Sequence, residues 1–164
     1  MSDEKNERAT GFYLLSDYAD QDDLIPVKTT KLSAGYDFKA AEDVTVPVFH
    51  VGLKPTLVPT GVKCKLDDDQ VLLCFNRSSN PLKRGLVIAN GVGVVDADYF
   101  GNDNNEGAIY AMFWNMGDQP YQIHKGDRIM QGVIVNYESL AKASVAGLTR
   151  TGGFGSTGVK NNNK

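Results

Sequence analysis

Residues that force the backbone to turn recur roughly every eight to twelve positions through most of the chain, which is the spacing of short strands and not of helices. They are Pro26, Ala34-Gly35, Pro47, Pro59-Thr60-Gly61, Asp67-Asp68-Asp69, Asn90-Gly91, Gly101-Asn102, Gly117-Asp118 and Lys125-Gly126-Asp127. Glycine supplies 17 of 164 residues, above the usual ~7%, as a chain that reverses this often requires. Between the turns, Val58 to Leu66, Gln70 to Asn76, Gly91 to Asp96, Ala108 to Asn115 and Arg128 to Asn136 carry Val, Ile and aromatic side chains with partial period-two alternation. Helical periodicity is faint throughout. The best helix candidate is one or two turns after Arg77, where Ser78 or Ser79 suits the cap and Pro81 the first turn. These features predict an all-β sandwich or jelly roll with one short helix.

The length fits one domain able to bury about two-thirds of its unfolded surface, so neither disulfide nor zinc is needed for folding. Cys64 and Cys74 lie in the apolar stretches VKCKL and VLLCF and read as reduced core thiols. With only His50 and His124 besides, local spacing builds no zinc site. Lys and Arg number 17 against 20 Asp and Glu, a net charge of −3, which argues against a nucleic-acid partner while leaving room for a local basic site. The start, MSDEKNERAT, lacks an apolar core, and no window approaches the ~18 apolar residues of a membrane span, so no membrane partner and a cytoplasmic location are expected. Polar termini complete the expected organisation: a flexible segment over residues 1–10, a folded domain over 11–147 and a mobile arm over 148–164.

Three constellations carry candidate chemistry. The strand GVGVVDADY ends in Asp96 and Asp98, which share a face if the chain stays extended and then suit a metal or a general base; taken singly, a pair that caps and solvates a hairpin end explains them better. In NRSSNPLKRG, Arg77, Ser78, Ser79 and helix-start amides offer what phosphate oxygens require, although an ordinary cap on a basic turn has the same composition. In RTGGFGSTG the lysine of a P-loop is missing and no helix follows, yet Arg150, Phe154, Ser156 and Thr157 on a glycine-rich tail suit a lid that stacks on a base and meets phosphates. AGYDF and GDRIMQ are turn-to-strand junctions whose Asp37, Arg128 and Gln131 read, taken singly, as cap and surface residues.

Together and in this order, AGYDF, RSSNPLKRG, GVVDADYFGN, GDRIMQ and RTGGFGSTG resemble the five sequence motifs of the homotrimeric dUTP pyrophosphatase (dUTPase) family, of bacterial or phage type, over residues 34 to 158. The resemblance implies a distorted jelly-roll β-sandwich with a mobile C-terminal arm, and a homotrimer whose shared active sites draw motifs from all three subunits. It implies hydrolysis of dUTP to dUMP and pyrophosphate with Mg2+, which keeps uracil out of DNA and supplies dUMP for thymidylate synthesis. Asp96 would be the general base for the attacking water and would hold the 3′-OH. Tyr99 would pack beneath the deoxyribose and exclude a 2′-OH, while Asn90 and the hairpin from Gly91 to Val95 would read uracil. Arg77, Ser78 and Ser79 would meet the phosphates, with Ser78 at the α–β bridging oxygen. Gln131 would hold a phosphate oxygen and order the water. Arg150, Ser156 and Thr157 would meet the γ-phosphate around Gly155, under a lid in which Phe154 stacks on uracil. Asp37 would sit in the water shell of a metal that the protein does not ligate directly. The polar run Gly101 to Gly107 reads as a solvent-exposed hairpin tip.

Other readings share these residues. A dCTP deaminase of the same fold would need a Glu where alignment with the strand Ile109 to Asn115 places Met112. A thioether cannot take that proton, which disfavours deamination. A dUTP-binding regulatory module that contacts a repressor protein, as some phage dUTPases do, would use the same binding residues. A carbohydrate-binding jelly roll would have no use for a charged tail clamp.

Overall fold

The computed structural model describes residues 9–140, and these form an all-β sandwich. Its strands are β1 (Gly11–Leu14), β2 (Tyr36–Lys39), β3 (Val44–Val46), β4 (Thr56–Pro59), β5 (Val62–Lys65), β6 (Gln70–Asn76), β7 (Leu86–Ile88), β8 (Gly93–Asp96), β9 (Tyr110–Asn115), β10 (Tyr121–Ile123) and β11 (Arg128–Asn136). The largest sheet has the order β2-β11-β6-β8 and faces a second sheet, β4-β9-β7; the ribbons β1-β5 and β10-β3 close the edges. All the strand pairs are antiparallel.

Register follows from which side chains need burial. Phe38, Leu72, Cys74 and Met130 point from the large sheet into a core that also takes Val58, Ala111, Phe113 and Leu86 from the second sheet. Burying each large apolar side chain contributes about 1.5–3 kcal/mol, and a slip by one residue would turn the whole row outward. The opposite face of the large sheet is apolar too. Directly paired residues share a face, so Val71, Leu73 and Phe75 of β6 lie beside Val135, Val133 and Gln131 of β11, with Val94 and Asp96 of β8 completing the rows.

Strands β6 and β11 have the expected bounds, and the expected segments from Gly91 and Ala108 begin two residues later, at Gly93 and Tyr110. The single strand expected over Val58 to Leu66 is instead two, because the chain reverses at Thr60-Gly61 and sends β4 to β9 and β5 to β1. Gly61 has φ 72°, and a Cβ there would lie 2.7 Å from Leu24 Cδ1, so both conformation and space demand glycine. The helix expected after Arg77 is a single π-type turn over Asn80–Arg84. Pro81 stands in its first positions and Gly85 ends it in the left-handed region, but no serine side chain caps it. The turn is held from inside instead: the fully buried Asn80 donates from Nδ2 to Asn76 Oδ1 and to the Ile129 carbonyl, both at 2.7 Å.

Cys64 and Cys74 are free and buried, and desolvation pushes both thiols up to about 12, which leaves them unreactive near neutrality. The run Gly101 to Gly107 is not the exposed tip expected from its polarity. Asn102 is buried, and its side chain and that of Asn105 turn inward to bond Tyr99. The expected boundaries at residues 10 and 147 and the arm over 148–164 lie largely outside the described residues.

Gly132 sits at the centre of the large sheet, where a Cβ would lie 2.7 Å from both Leu72 Cδ1 and Phe38 Cε2. Gly132→Ala is expected to cost about 1–3 kcal/mol of stability, read as a lower midpoint in urea denaturation.

Candidate active site

Two groups of polar side chains stand out on the large sheet. The first lies where β2, β11 and the end of β6 meet, because antiparallel pairing sets Asp37 directly opposite Gln131 and brings Arg77, one residue beyond β6, to the same edge. Asp37 organises it. Its Oδ1 accepts from Arg77 Nε at 3.1 Å, and its Oδ2 from Arg128 Nη1 at 3.2 Å and Thr29 Oγ1 at 2.6 Å. Arg77 Nη1 also donates to the Arg128 carbonyl at 3.2 Å. These groups border an open cavity of about 390 Å³, lined also by Ser33, Gly35 and Gln131. One carboxylate against two guanidiniums leaves the cavity net positive, and charge-assisted bonds hold the arginine heads before any anion arrives.

Gln131 lies over Gly35, where a Cβ would come within 2.8 Å of Gln131 Oε1, and its Nε2 donates to the Asn76 carbonyl at 3.3 Å. Ser78, next in the chain to Arg77, is exposed. The Ser79 hydroxyl points the other way, buried and with no hydrogen-bond partner among the described residues. Sequence reading underrated Arg128 and Thr29. Arg128 looks like a surface cation in GDRIMQ, and only pairing across the sheet reveals that it shares the Asp37 carboxylate with Arg77.

The second group follows the hairpin from Asn90 to Asp96. Gly91, at φ 73°, lets the chain reverse, and the backbone then enters β8 opposite Cys74. Asn90 and Gly93 border a small cavity of about 20 Å³ with Cys74, Ile88, Tyr110, Met112 and Met130. That is room for about one water, so any flat ring must rest against the hairpin edge and not inside the sandwich. Asp96 ends β8 half-buried, and the chain there turns into a 3-10 turn, Ala97–Tyr99. The two carboxylates therefore do not share a strand face, and Asp98 is exposed. Tyr99 is 7% exposed; its Oη donates to the Ala108 carbonyl at 2.7 Å and accepts from Asn105 Nδ2 at 2.9 Å.

The dUTPase family profile matches residues 22–158 of the chain. The chain belongs to the dUTPase family. A deoxyuridine 5'-triphosphate nucleotidohydrolase of Lactococcus lactis is 40% identical over 155 residues, covering 91% of this chain and 97% of that protein. One of Rickettsia typhi is 37% identical over 139 residues, covering 82% and 88%. Among solved structures, the dUTPase of Streptococcus mutans superposes with a TM-score of 0.74 at 45% identity, covering 79% of this chain and 98% of that one. The dUTPase of phage phi11 of S. aureus, at 23% identity and a TM-score of 0.66 over 86% of this chain and 98% of that one, shares the fold.

Measured along β6, Asp96 and Arg77 of this chain are far apart, although the start of β8, at Gly93, lies opposite Cys74. Asp96 pairs with Val71 at one end, whereas Arg77 follows Asn76 at the other. Five strand steps separate Val71 from Asn76, about 17 Å. Asp96 therefore does not join Arg77, Asp37 and Gln131 within one chain. Arg150, Phe154, Gly155, Ser156 and Thr157 lie outside the described residues.

Removing the shared carboxylate in Asp37→Ala leaves the half-buried Arg77 and the exposed Arg128 without their anionic partner, and a loss of about 1 kcal/mol, mostly from Arg77, is expected in thermal or urea denaturation. The loop behind Tyr99 carries a titratable carboxylate of its own. Bonds from Lys63 and Ser16 hold the Glu106 carboxyl below its usual range. A depressed folded value means stability that is present above the unfolded pKa of about 4.3 and is lost as pH falls through the folded value. Glu106→Gln is therefore expected to flatten the acid limb of the stability profile below about pH 4.3 and to lower stability near neutrality.

Proposed function

We propose that this chain hydrolyses dUTP to dUMP and pyrophosphate, in active sites assembled between copies of itself. The observation that carries the reading is the net-positive cavity in which Asp37 holds Arg77 beside Arg128 and Gln131, a receptor suited to a polyphosphate. Its separation from Asp96 explains why more than one copy is needed. A homotrimer satisfies both requirements, and the outward apolar row of Val71, Leu73, Val94, Val133 and Val135 gives neighbouring copies a surface to bury.

In the assembled site, Arg77 and Ser78 take the phosphate oxygens, Ser78 at the oxygen bridging the α and β phosphorus atoms, with Ser79 shaping the turn behind them. Gln131 holds a phosphate oxygen and orients the attacking water. Asp96 of another copy takes the proton of that water as it bonds to the α-phosphorus; the bond to the bridging oxygen breaks and pyrophosphate leaves. Asn90, Gly91 and Val95 present hairpin backbone to the uracil edge, and Tyr99 lies beneath the deoxyribose. The arm brings Arg150, Ser156 and Thr157 to the γ-phosphate around Gly155 and stacks Phe154 on uracil, excluding water. Positioning and electrostatics carry most of the rate enhancement in such phosphoanhydride cleavage.

Magnesium belongs to this reading. Among the described residues no three His, Cys, Asp or Glu side chains cluster as direct ligands, and Asp37 is engaged by two arginines and a threonine. That donor set fits a cation that the substrate phosphates would carry, and Asp37 would hold it only through an intervening water. When bound, the metal neutralises phosphate charge. A cytoplasmic location is part of the same proposal. Deamination finds no base here, because Met112 faces the small hairpin cavity.

Pyrophosphate release with magnesium across dUTP, UTP, dTTP and dCTP tests the reading. Turnover of dUTP alone is expected, with kcat lowered about 10²–10⁴-fold in Asp96→Asn. Truncation before Arg150 is expected to lower kcat/KM for dUTP strongly. Binding of dUTP without turnover would instead favour the regulatory module. The shared site has its own check: Arg77→Ala and Asp96→Asn chains, each inactive alone, are expected to regain activity when refolded together, since every mixed trimer contains one junction with both residues intact. No recovery in mixed trimers would refute sites shared between copies.

A further inference from the structure

The segment behind Tyr99 is polar enough to live in solvent, yet two of its amides turn onto one residue, Asn105 to the Tyr99 phenol and Asn102 to the Tyr99 carbonyl. Tyr99 Oη is bonded twice, donating to the Ala108 carbonyl at 2.7 Å and accepting from Asn105 Nδ2 at 2.9 Å. The Tyr99 carbonyl accepts from Asn102 Nδ2 at 3.0 Å, and the same amide bonds Asn105 Oδ1 at 2.7 Å. Gly107 N donates to Asn105 Oδ1 at 3.1 Å, which fixes the amide that reaches the phenol. Close approach is built into the backbone. Gly107 has φ 89°, and a Cβ there would stand 2.7 Å from the Tyr99 carbonyl oxygen. Glu106, at φ 60°, ties the outer side of the loop to Lys63 at 2.8 Å and to Ser16.

We propose that Asn105 is a positioning residue that sets the sugar selectivity of the site by holding the Tyr99 phenol in place. The proposal rests on the reading in which Tyr99 packs beneath the deoxyribose. Exclusion of a 2′-OH is steric, so it is only as strong as the ring is stiff; a ring free to yield by about 1 Å admits the extra oxygen. Burial alone leaves the ring able to tilt, whereas two hydrogen bonds of opposite sense at Oη fix both its tilt and its hydroxyl. Asn105 acts through Tyr99 and touches no reacting atom.

The test is kcat/KM for dUTP and for UTP, measured with magnesium on the full chain, its Asn105→Asp, Asn105→Ala, Tyr99→Phe and Tyr99→Ala variants, and the Asn105→Asp/Tyr99→Phe double variant. Asn105→Asp keeps the acceptor used by Gly107 N but replaces the donor to Oη by an acceptor, so that the single phenol proton can serve either the new carboxylate or the Ala108 carbonyl and Oη keeps one bond of two; it preserves the loop even if Asn105→Ala fails to fold. The expected result is a fall of about tenfold or more in the dUTP/UTP ratio in Asn105→Asp, the size of one lost hydrogen bond at a buried group. UTP turnover should rise, KM for dUTP should change little, and the ratio should fall no further when Asn105→Asp is added to Tyr99→Phe. An unchanged ratio in Asn105→Asp, with or without a lower Tm, would overturn the proposal, as would single effects that multiply in the double variant. If Tyr99→Ala collapses the ratio and the Asn105 variants do not, the role of Asn105 fails and that of Tyr99 stands. A native chain that does not discriminate, or a Tyr99→Ala variant that keeps the ratio, would overturn both.

Discussion

The pairing register of β6, between β11 on one side and β8 on the other, is the constraint from which the rest of this structure follows. It sets Gln131 opposite Phe75, at the edge where Asp37 arrives on β2, and it sets Asp96 opposite Val71 at the far end. Apolar burial enforces it, since Leu72 and Cys74 must face the core. The same alternation that fills the core therefore aims the functional side chains outward, and the length of β6 decides how far apart they stand. A strand of seven residues keeps the two ends of the sheet about 20 Å apart.

Electrostatics in the arginine-lined cavity depends on a group that looks misplaced. A carboxylate there offsets part of the positive charge, yet Asp37 is what holds Arg77 and Arg128 in one orientation. Without it the two guanidiniums would repel each other and sample many rotamers, and the entropy of ordering them would be charged to binding. With it, one net positive charge and preset donors remain, the kind of preorganisation that stabilises a transition state dispersed over phosphate oxygens. The Asn102–Asn105 pair applies the same logic to Tyr99, using neutral amides in place of ions.

Much of this was legible in the chain. The turn residues marked most strand ends, and β6 and β11 fall where alternation places them. Motif order pointed to the family without any coordinates. Polarity misled at Gly101 to Gly107, because a run of Asn, Asp and Gly normally faces water and nothing local shows that its amides have a buried phenol to bond. Three-residue strands such as β3, β7 and β10 escaped for a related reason: so few residues carry no period, and their conformation is imposed by the neighbours they pair with.

What the sequence determined by itself was the fold class, the reduced state of the two buried thiols, the family, and the polar residue types that its motifs carry. These depend on composition, short-range spacing and motif order, which are properties of the chain. Only the tertiary structure decided which of those residues meet. It joined Asp37 to Arg77 and Arg128 across 40 and 91 positions, turned Ser78 outward and the Ser79 hydroxyl inward, and put Asn105 on the Tyr99 phenol. It also parted Asp96 from Arg77. Contacts of that kind are set by strand order and register, which emerge only when the whole core is buried at once.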